Sequence, residues 1–440
     1  MCRLLCVSAL VLLIAGCDRP VVDLAPPRVE VVFPEDLSVV QTKPFLDLAL
    51  RAEVFGDIDS VAVGGRATTF DRNRNAYEVT LSLVSGLNVL PVEIYDLDGL
   101  RGSDTLYVFQ ADLQSVSLPT SGSPSARASA AASSLPSGSV FISGGATTTG
   151  DALGIGTRIE ILGDVLRFTD IPLHEARSGH SSTLLPDGRV LLLGGAQTET
   201  PFTLAQTAEV LDVEAATSTP VSVVTQQGTP ASLSRVGHTA RLLAIDGIMV
   251  VYLYGGVNAQ NIPLSTVDVL RIENDGDLTL LSPPGGASGG FPAYALPAQA
   301  PIAPQGASDA SSVVFGLPQV DGDPTAFSFD WFAPTGPRFP FDLVARTIAP
   351  LSTPRTSAAT VFSDGIVLVA GGTAPDGTTL DTFEAYAPSV NRTFRFPDSV
   401  RLRVPRSGHT ATLSSGGRIL IVGGRSASGT ALFALEAFQL

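Results

Sequence analysis

Lysine is all but missing from this 440-residue chain: of its 27 basic residues only Lys43 is a lysine. Chemistry that runs through lysine, as a Schiff base or in a phosphate-cradling loop, has almost no raw material. Cysteine is nearly as scarce, with Cys2, Cys6 and Cys17 all inside the first seventeen residues. With a leader removed before Cys17, one cysteine is left and no internal disulfide can form. Charged residues make up 16% of the chain and the formal net charge is −15. Such a chain is no nucleic-acid binder, because nothing in it neutralises phosphates in bulk. What it has instead is 43 glycines, 32 prolines and 44% apolar residues. That composition describes strands joined by many turns, with apolar side chains enough for more than one core.

The N-terminus reads as an export signal. Leu4–Ile14 is apolar but for Cys6 and Ser8, too short for a mature membrane span and right for a signal-peptide core. It ends Ile14-Ala15-Gly16-Cys17, which resembles the lipobox of bacterial lipoproteins. The resemblance implies a signal peptide over 1–16, lipidation of Cys17 and a tether over 17–27. Acyl chains there would hold the protein at a membrane of the cell envelope. Asp18 leaves open whether that is the outer membrane or the periplasmic face of the inner one.

Residues 28–112 break into short strands separated by turn residues, and polar and apolar residues largely alternate in 76–83 and 88–95. A strand with one buried face requires that pattern, and about seven such strands suggest a β-sandwich. The run from Gly86 to Gly99, with Asn88, Val92 and Asp96 between, resembles bacterial Ig-like modules. Asp96, Asp98 and Asp104 lack the further acids of a calcium loop and read as a turn.

The rest of the chain, 113–440, repeats itself. RSGHSSTLLPDGRVLLLGG ends at Gly195, and related stretches end in glycine pairs that begin at Gly144, Gly255, Gly371 and Gly423. From Gly144 through Gly194 to Gly423 the intervals are 50, 61, 116 and 52 residues, and a decayed copy with the single Gly316 sits inside the long one. Six repeats of this period resemble kelch motifs. The resemblance implies an all-β fold: a six-bladed kelch-like β-propeller, preceded here by a small Ig-like β-sandwich. Runs such as Arg189–Leu193 are apolar on consecutive residues, as a blade covered on both faces demands. The usual fourth-strand tryptophan is absent; Trp331 lies near the end of a third strand instead. The chain stops inside the third strand of blade six, so 114–118 is the expected donor of that blade's outer strand.

No catalytic constellation emerges. His180, His238 and His409 occupy one slot of the repeat, which points to a part of each blade's packing rather than to a metal, and no cofactor is expected. The G-x-S-x-G match at 286–290 lacks the strand and helix that a nucleophile elbow needs. Galactose oxidase carries a kelch propeller, but its copper chemistry requires a cysteine that this propeller does not have. Nothing matches a catalytic signature of kelch-type sialic acid epimerases. The Pro/Gly/Ala-rich segment Ser282–Gln305 reads as slack before the decayed repeat, with a cover over one mouth of the ring as the alternative.

Two sets of residues stand out. Arg127, Arg177, Arg235, Arg355 and Arg406 open five blades, and Glu160, Glu209, Asp268, Glu384 and Glu436 lie in the third strands of the same five. Blade four has neither member, with Phe327 in the acid slot. Joint presence and joint absence predict a structural Arg–carboxylate bridge in each regular blade. The second set, Asp151, Gln197, Glu199, Asn258, Gln260, Asp376 and Arg425, lies in the variable loops after the glycine pairs, where a rigid ring would carry recognition. The expected function is non-catalytic binding of an envelope protein or glycan. The alternatives are a periplasmic carbohydrate enzyme with an Arg/acid site at the propeller mouth, or a structural envelope protein.

Overall fold

The computed structural model describes residues 28–439, apart from 54–56, 97–98, 119, 122–123, 164, 200–201, 234, 246–247, 274–275, 282–286, 289–292, 302–311, 318–324, 333–341 and 415. Cys17, the leader, the tether and most of the 282–305 segment lie outside the described residues. The fold is all-β, and among the described residues one short 3-10 turn occurs, at Pro388–Val390. No helix among the described residues is long and apolar enough to cross a membrane.

The chain divides into two compact units, one holding 47–81, 89–106 and the described residues up to Glu35, the other 36–46, 82–88 and 107 onward. The first unit is built on two four-stranded sheets. One runs in the order Arg28–Phe33, Phe45–Glu53, Ala76–Ser82, Thr69–Asp71, the other Arg66–Ala67, Ser60–Val63, Gly86–Asp96, Gly99–Gln110. Alternation turns Leu48 and Leu50, Val61 and Val63, and Val92 and Ile94 inward. A boundary at residue 112 is too simple, however. Segments 36–46, 82–88 and 107–112 group with the second unit because Val40, Phe109 and Ala111 are buried in one apolar cluster with Phe394 and Phe396. The backbone agrees: Arg395 N–H donates to Ser38 O, and Val40 N–H to Arg395 O.

Among the described residues the second unit contains six sheets built on four antiparallel strands each, with short parallel strands added at the edges of two and a separate two-stranded sheet between the second and third strands of the second. We number these blades one to six in chain order. Their second strands are Val140–Ser143, Val190–Leu193, Ile248–Tyr254, Ser312–Phe315, Ile366–Ala370 and Arg418–Arg425. Consecutive apolar residues in them face opposite neighbours: Val190 and Leu192 pack against blade one, Leu191 and Leu193 against blade three. Each of the six joints, that between blades six and one included, encloses its own apolar cluster. Blade six takes its outer strand from Gln114–Val116, which pairs antiparallel with Leu435–Gln439.

Backbone hydrogen bonds tie the same joints. The second glycine of a pair donates its N–H to the next blade: Gly145 to Arg177 O, Gly195 to Arg235 O, Gly256 to Tyr294 O, Gly372 to Arg406 O and Gly424 to Arg127 O, at 2.8–3.0 Å. Blades four and five are joined by Ser357 N–H to Leu296 O at 3.1 Å. The glycine pairs are obligatory for steric reasons. Both members adopt positive φ, and a Cβ on Gly144 would lie 2.2 Å from Arg177 O, one on Gly256 2.5 Å from Val236 O. No side chain fits there.

Candidate functional site

The five repeated arginines are among the most deeply buried groups in the protein. Each lies just before its blade's first strand, and its guanidinium donates to the carbonyl of the first glycine of that blade's pair: Gly144, Gly194, Gly255, Gly371 or Gly423, at 2.9–3.1 Å. In four blades it also meets the third-strand acid of the same blade. Arg177 lies 2.8 Å from Glu209 and Arg235 2.7 Å from Asp268; Arg355 contacts Glu384, and Arg406 contacts Glu436. Glu209 is held further by the Ser218 hydroxyl and by His174 N–H at 2.8 Å. Burial pulls Arg177, Arg355 and Arg406 below the usual guanidinium value, and the facing carboxylates oppose it. These arginines therefore staple the first, second and third strands of their own blades. They are not aimed at solvent.

Blade one corrects the sequence expectation. Glu160 is not the partner of Arg127: it lies 3.4 Å from Arg158 and 4.0 Å from Arg167. The acid slot is the residue paired across the sheet with the one two before the first glycine, as Leu192 pairs Glu209 and Ile421 pairs Glu436. In blade one that register pairs Ile142 with Thr157. Arg127 accordingly donates to Thr157 Oγ1 at 2.9 Å, and that hydroxyl donates onward to Asp170 at 2.7 Å. With no carboxylate in contact, burial pushes Arg127 down to about 10, and Asp170 offsets only part of this. The signal was present in the sequence, since Thr157, like Asp268, Glu384 and Glu436, follows its first glycine by thirteen residues.

Blade four shows what replaces the staple. Tyr294 takes the arginine's place, accepting the bond from Gly256, and is fully buried with its ring 5.5 Å from that of Phe327. Both charges are thus exchanged for aromatic surface at once, which avoids stranding an ion in the core.

The three repeated histidines sit at blade joints. His180 Nε2 lies 2.7 Å from Ser143 Oγ of blade one, and His238 Nε2 3.0 Å from Ser181 Oγ of blade two. A Cβ on Gly144, Gly194 or Gly371 would come within 2.7–2.9 Å of the facing histidine Cε1, so ring and glycine are matched in shape. Desolvation, with the neighbouring arginines adding to it, lowers His238 and His409 to about 3 and His180 well below its ordinary value. All three are neutral near pH 7. Among the described residues no group of three His, Cys, Asp or Glu is placed to hold a metal.

The first strands of all six blades line one axial cavity of about 300 Å³. Its wall is mostly alanine, serine and threonine, with Arg241 and Gln299 on one side. Arg241 donates to Ser312 Oγ at 2.7 Å.

The polar loop residues divide into two sorts. Asn258, Gln260 and Asp376 belong to local turns: Asn258 Oδ1 accepts from the N–H of Gln260 and of Ile262, and Asp376 Oδ1 from Thr378 N–H. Asp151, Gln197, Glu199 and Arg425 come together although they belong to blades one, two and six. Ala152 N–H donates to Gln197 O at 2.9 Å, Glu199 N–H to Gly150 O at 3.1 Å, and Asp151 bridges Thr198. Arg425 reaches Glu199 at 2.5 Å, with both side chains about one-quarter exposed. Sequence reasoning missed Glu175, which anchors Gln197 through its Nε2 at 2.6 Å. It is the only acid two residues before one of the five arginines.

No family model matches the chain, and no curated protein matches it in sequence. Among solved structures it is similar to one described as the structure of YjhT, at 13% identity and a TM-score of 0.52, over 73% of this chain and 97% of that one. That likeness speaks to the fold alone.

Proposed function

We propose that this is an exported, lipid-anchored binding protein of the bacterial cell envelope, with a kelch-type propeller that recognises a protein or a glycan through the loops after its glycine pairs. The observation that carries the reading is the convergence of Asp151, Gln197, Glu199 and Arg425 from three blades onto one partly exposed patch. Their scaffold is a ring locked by buried staples and backbone bonds, and variable polar loops on a rigid frame suit recognition. The five repeated arginines are spent inside the blades as internal ties, so the polar groups left for a partner are those of the loops.

A soluble form beginning at residue 28, applied to a glycan array and to an envelope pull-down, tests the binding half. One specific partner, weakened at least tenfold by Asp151→Ala or Arg425→Ala and unchanged by Asp376→Ala, is the expected result. Conversion of a bound glycan to a new product would favour the enzyme, and no partner in either assay would overturn the reading. The anchor is tested separately: fatty-acid labelling is expected to disappear in Cys17→Ser.

A further inference from the structure

The loops after the glycine pairs of blades one, three, five and six are copies of one turn. In each, the residue two past the pair donates its N–H to the carbonyl four positions on: Thr147 to Asp151, Asn258 to Ile262, Ala374 to Thr378 and Ser426 to Thr430, at 2.9–3.1 Å. Each turn closes on the second glycine, whose carbonyl accepts from Leu153, Leu264, Leu380 or Leu432 N–H at 2.8–2.9 Å. With one backbone in all four, what distinguishes them is side chains. The slot just after the pair holds Ala146, Val257, Thr373 and Arg425, and the slot after the leucine holds Gly154, Ser265, Asp381 and Phe433. Of the four, blade six alone carries a cation in the first slot and an aromatic ring in the second, and Phe433 is 60% exposed. One exposed apolar side chain is ordinary; its surroundings make this one informative. A Cβ on Gly154 would lie 3.7 Å from Ala176 at the entry to the next blade, so the same slot in blade six faces the joint with blade one. At that joint Ala431 N–H, two residues before Phe433, donates to Thr148 Oγ1 at 3.0 Å, and Arg425, which pairs with Ala431, holds Glu199. Exposed hydroxyls fill in the rest. Ser426, Ser428 and Thr430 bond one another at 2.9–3.1 Å, and Thr147, Thr149 and Asp151 form a second row at 2.7–2.8 Å.

We infer that the joint of blades six and one reads a neutral hexopyranose, with the sugar's C–H face stacked on Phe433 and its hydroxyls bonded to the Ser/Thr rows and the Glu199–Arg425 pair. The inference rests on the loop face being the binding face, and it narrows the partner to a glycan. A hexopyranose has one face of C–H groups and a rim of hydroxyls that both donate and accept. A rigid phenyl ring meets the face with little entropy to lose, and a few placed polar groups fix the rim. A hydroxyl that already donates within its row still has lone pairs with which to accept. Asp151 and Glu199, in a chain of net charge −15, count against an acidic sugar. A protein partner would call for a larger apolar centre than a single ring.

Titration of the mature chain with neutral hexopyranose oligosaccharides (glucans, galactans and mannans), and with polyuronates as the acidic control, tests it. The expected result is saturable binding of one neutral series and none of the polyuronates. Phe433→Ala weakens that binding about five- to tenfold, and Phe433→Tyr keeps it. The ring is exposed, so both variants should share the wild-type urea midpoint, which separates lost stacking from lost folding. Neutral-glycan binding that Arg425→Ala weakens and Phe433→Ala leaves alone would overturn the stacking and spare the face. A preference for polyuronates, or a protein captured from the envelope with no glycan bound, would overturn the sugar and likewise spare the face. With no glycan and no protein bound, both the sugar and the face fall.

Discussion

Replacing Glu209 with alanine destabilises the protein by about 3–5 kcal/mol, and Arg177→Ala does so to a similar degree. Both side chains have no solvent exposure, so removal of Arg177 strands the Glu209 charge in the core, and removal of Glu209 leaves Arg177 with only the more distant Glu175 carboxylate at 3.7 Å. The loss goes beyond one contact: Arg177 also ties Gly194 O to Thr207 O, and Glu209 holds Ser218 and His174 N–H. The double mutant should be far less unstable than the sum of the two, since a second deletion removes a charge already unpaired. Denaturant unfolding of the four proteins completes the cycle. Additive losses would mean that the pair is not coupled. Glu160→Ala serves as the contrast: its salt bridges are partly exposed, and its expected cost is about 0–1 kcal/mol.

Mild acid has the second large effect. His238 and His409 are buried neutral with folded values of about 3, against about 6.5 when unfolded. A depressed histidine value means that the unfolded chain takes up the proton first. The stability these residues contribute is complete above pH 6.5 and drains away as pH falls from there toward 3. By pH 5 each costs about 2 kcal/mol relative to neutral pH, and His180 acts in the same direction. Carboxylates with lowered values, such as Glu175 and Asp187, begin to matter only below about pH 4.5, so the histidine effect is read above that pH, before the two windows overlap. Urea midpoints at pH 7, 6 and 5 should fall steadily in the wild type and less steeply in His238→Asn. Identical slopes would show that the histidine is not what acid attacks.

The period of the glycine pairs, the doubly buried second strands and the donation of 114–116 to blade six were all legible because each leaves a mark on residue type. A glycine that must accept a carbonyl at 2.2–2.9 Å from its would-be Cβ cannot be anything else. A strand covered on both faces loses its alternation. What stayed hidden depended on register. Glu160 was misread because blade one has an acid three residues beyond the true slot, although both the thirteen-residue spacing from the first glycine and the strand pairing mark Thr157. Tyr294 escaped notice because it shares no chemistry with arginine; its claim to the slot is the carbonyl it offers Gly256. The boundary at 112 failed for a related reason, since Val40 and Phe109 read as ordinary strand residues and reveal their allegiance only through Phe394. The loops were the least legible. Seven polar residues looked equivalent in sequence, and contacts across more than two hundred positions, such as Arg425 with Glu199, brought four of them together.

The central claim is a ring of six blades whose last sheet is completed from the start of the propeller. Its most direct test is a disulfide between residues 114 and 439, which the pairing of Gln114 with Gln439 places opposite one another, within the reach of a Cys–Cys bridge. A chain beginning at residue 28 has no native cysteine, so Gln114→Cys with Gln439→Cys gives a clean readout. Under mild oxidation the account predicts near-complete intramolecular cross-linking, seen as one linked peptide pair by mass spectrometry. Gln114→Cys combined with Asp376→Cys should give none. Failure of the 114–439 pair to close while the protein stays folded, or equal closure in the control, would contradict the ring.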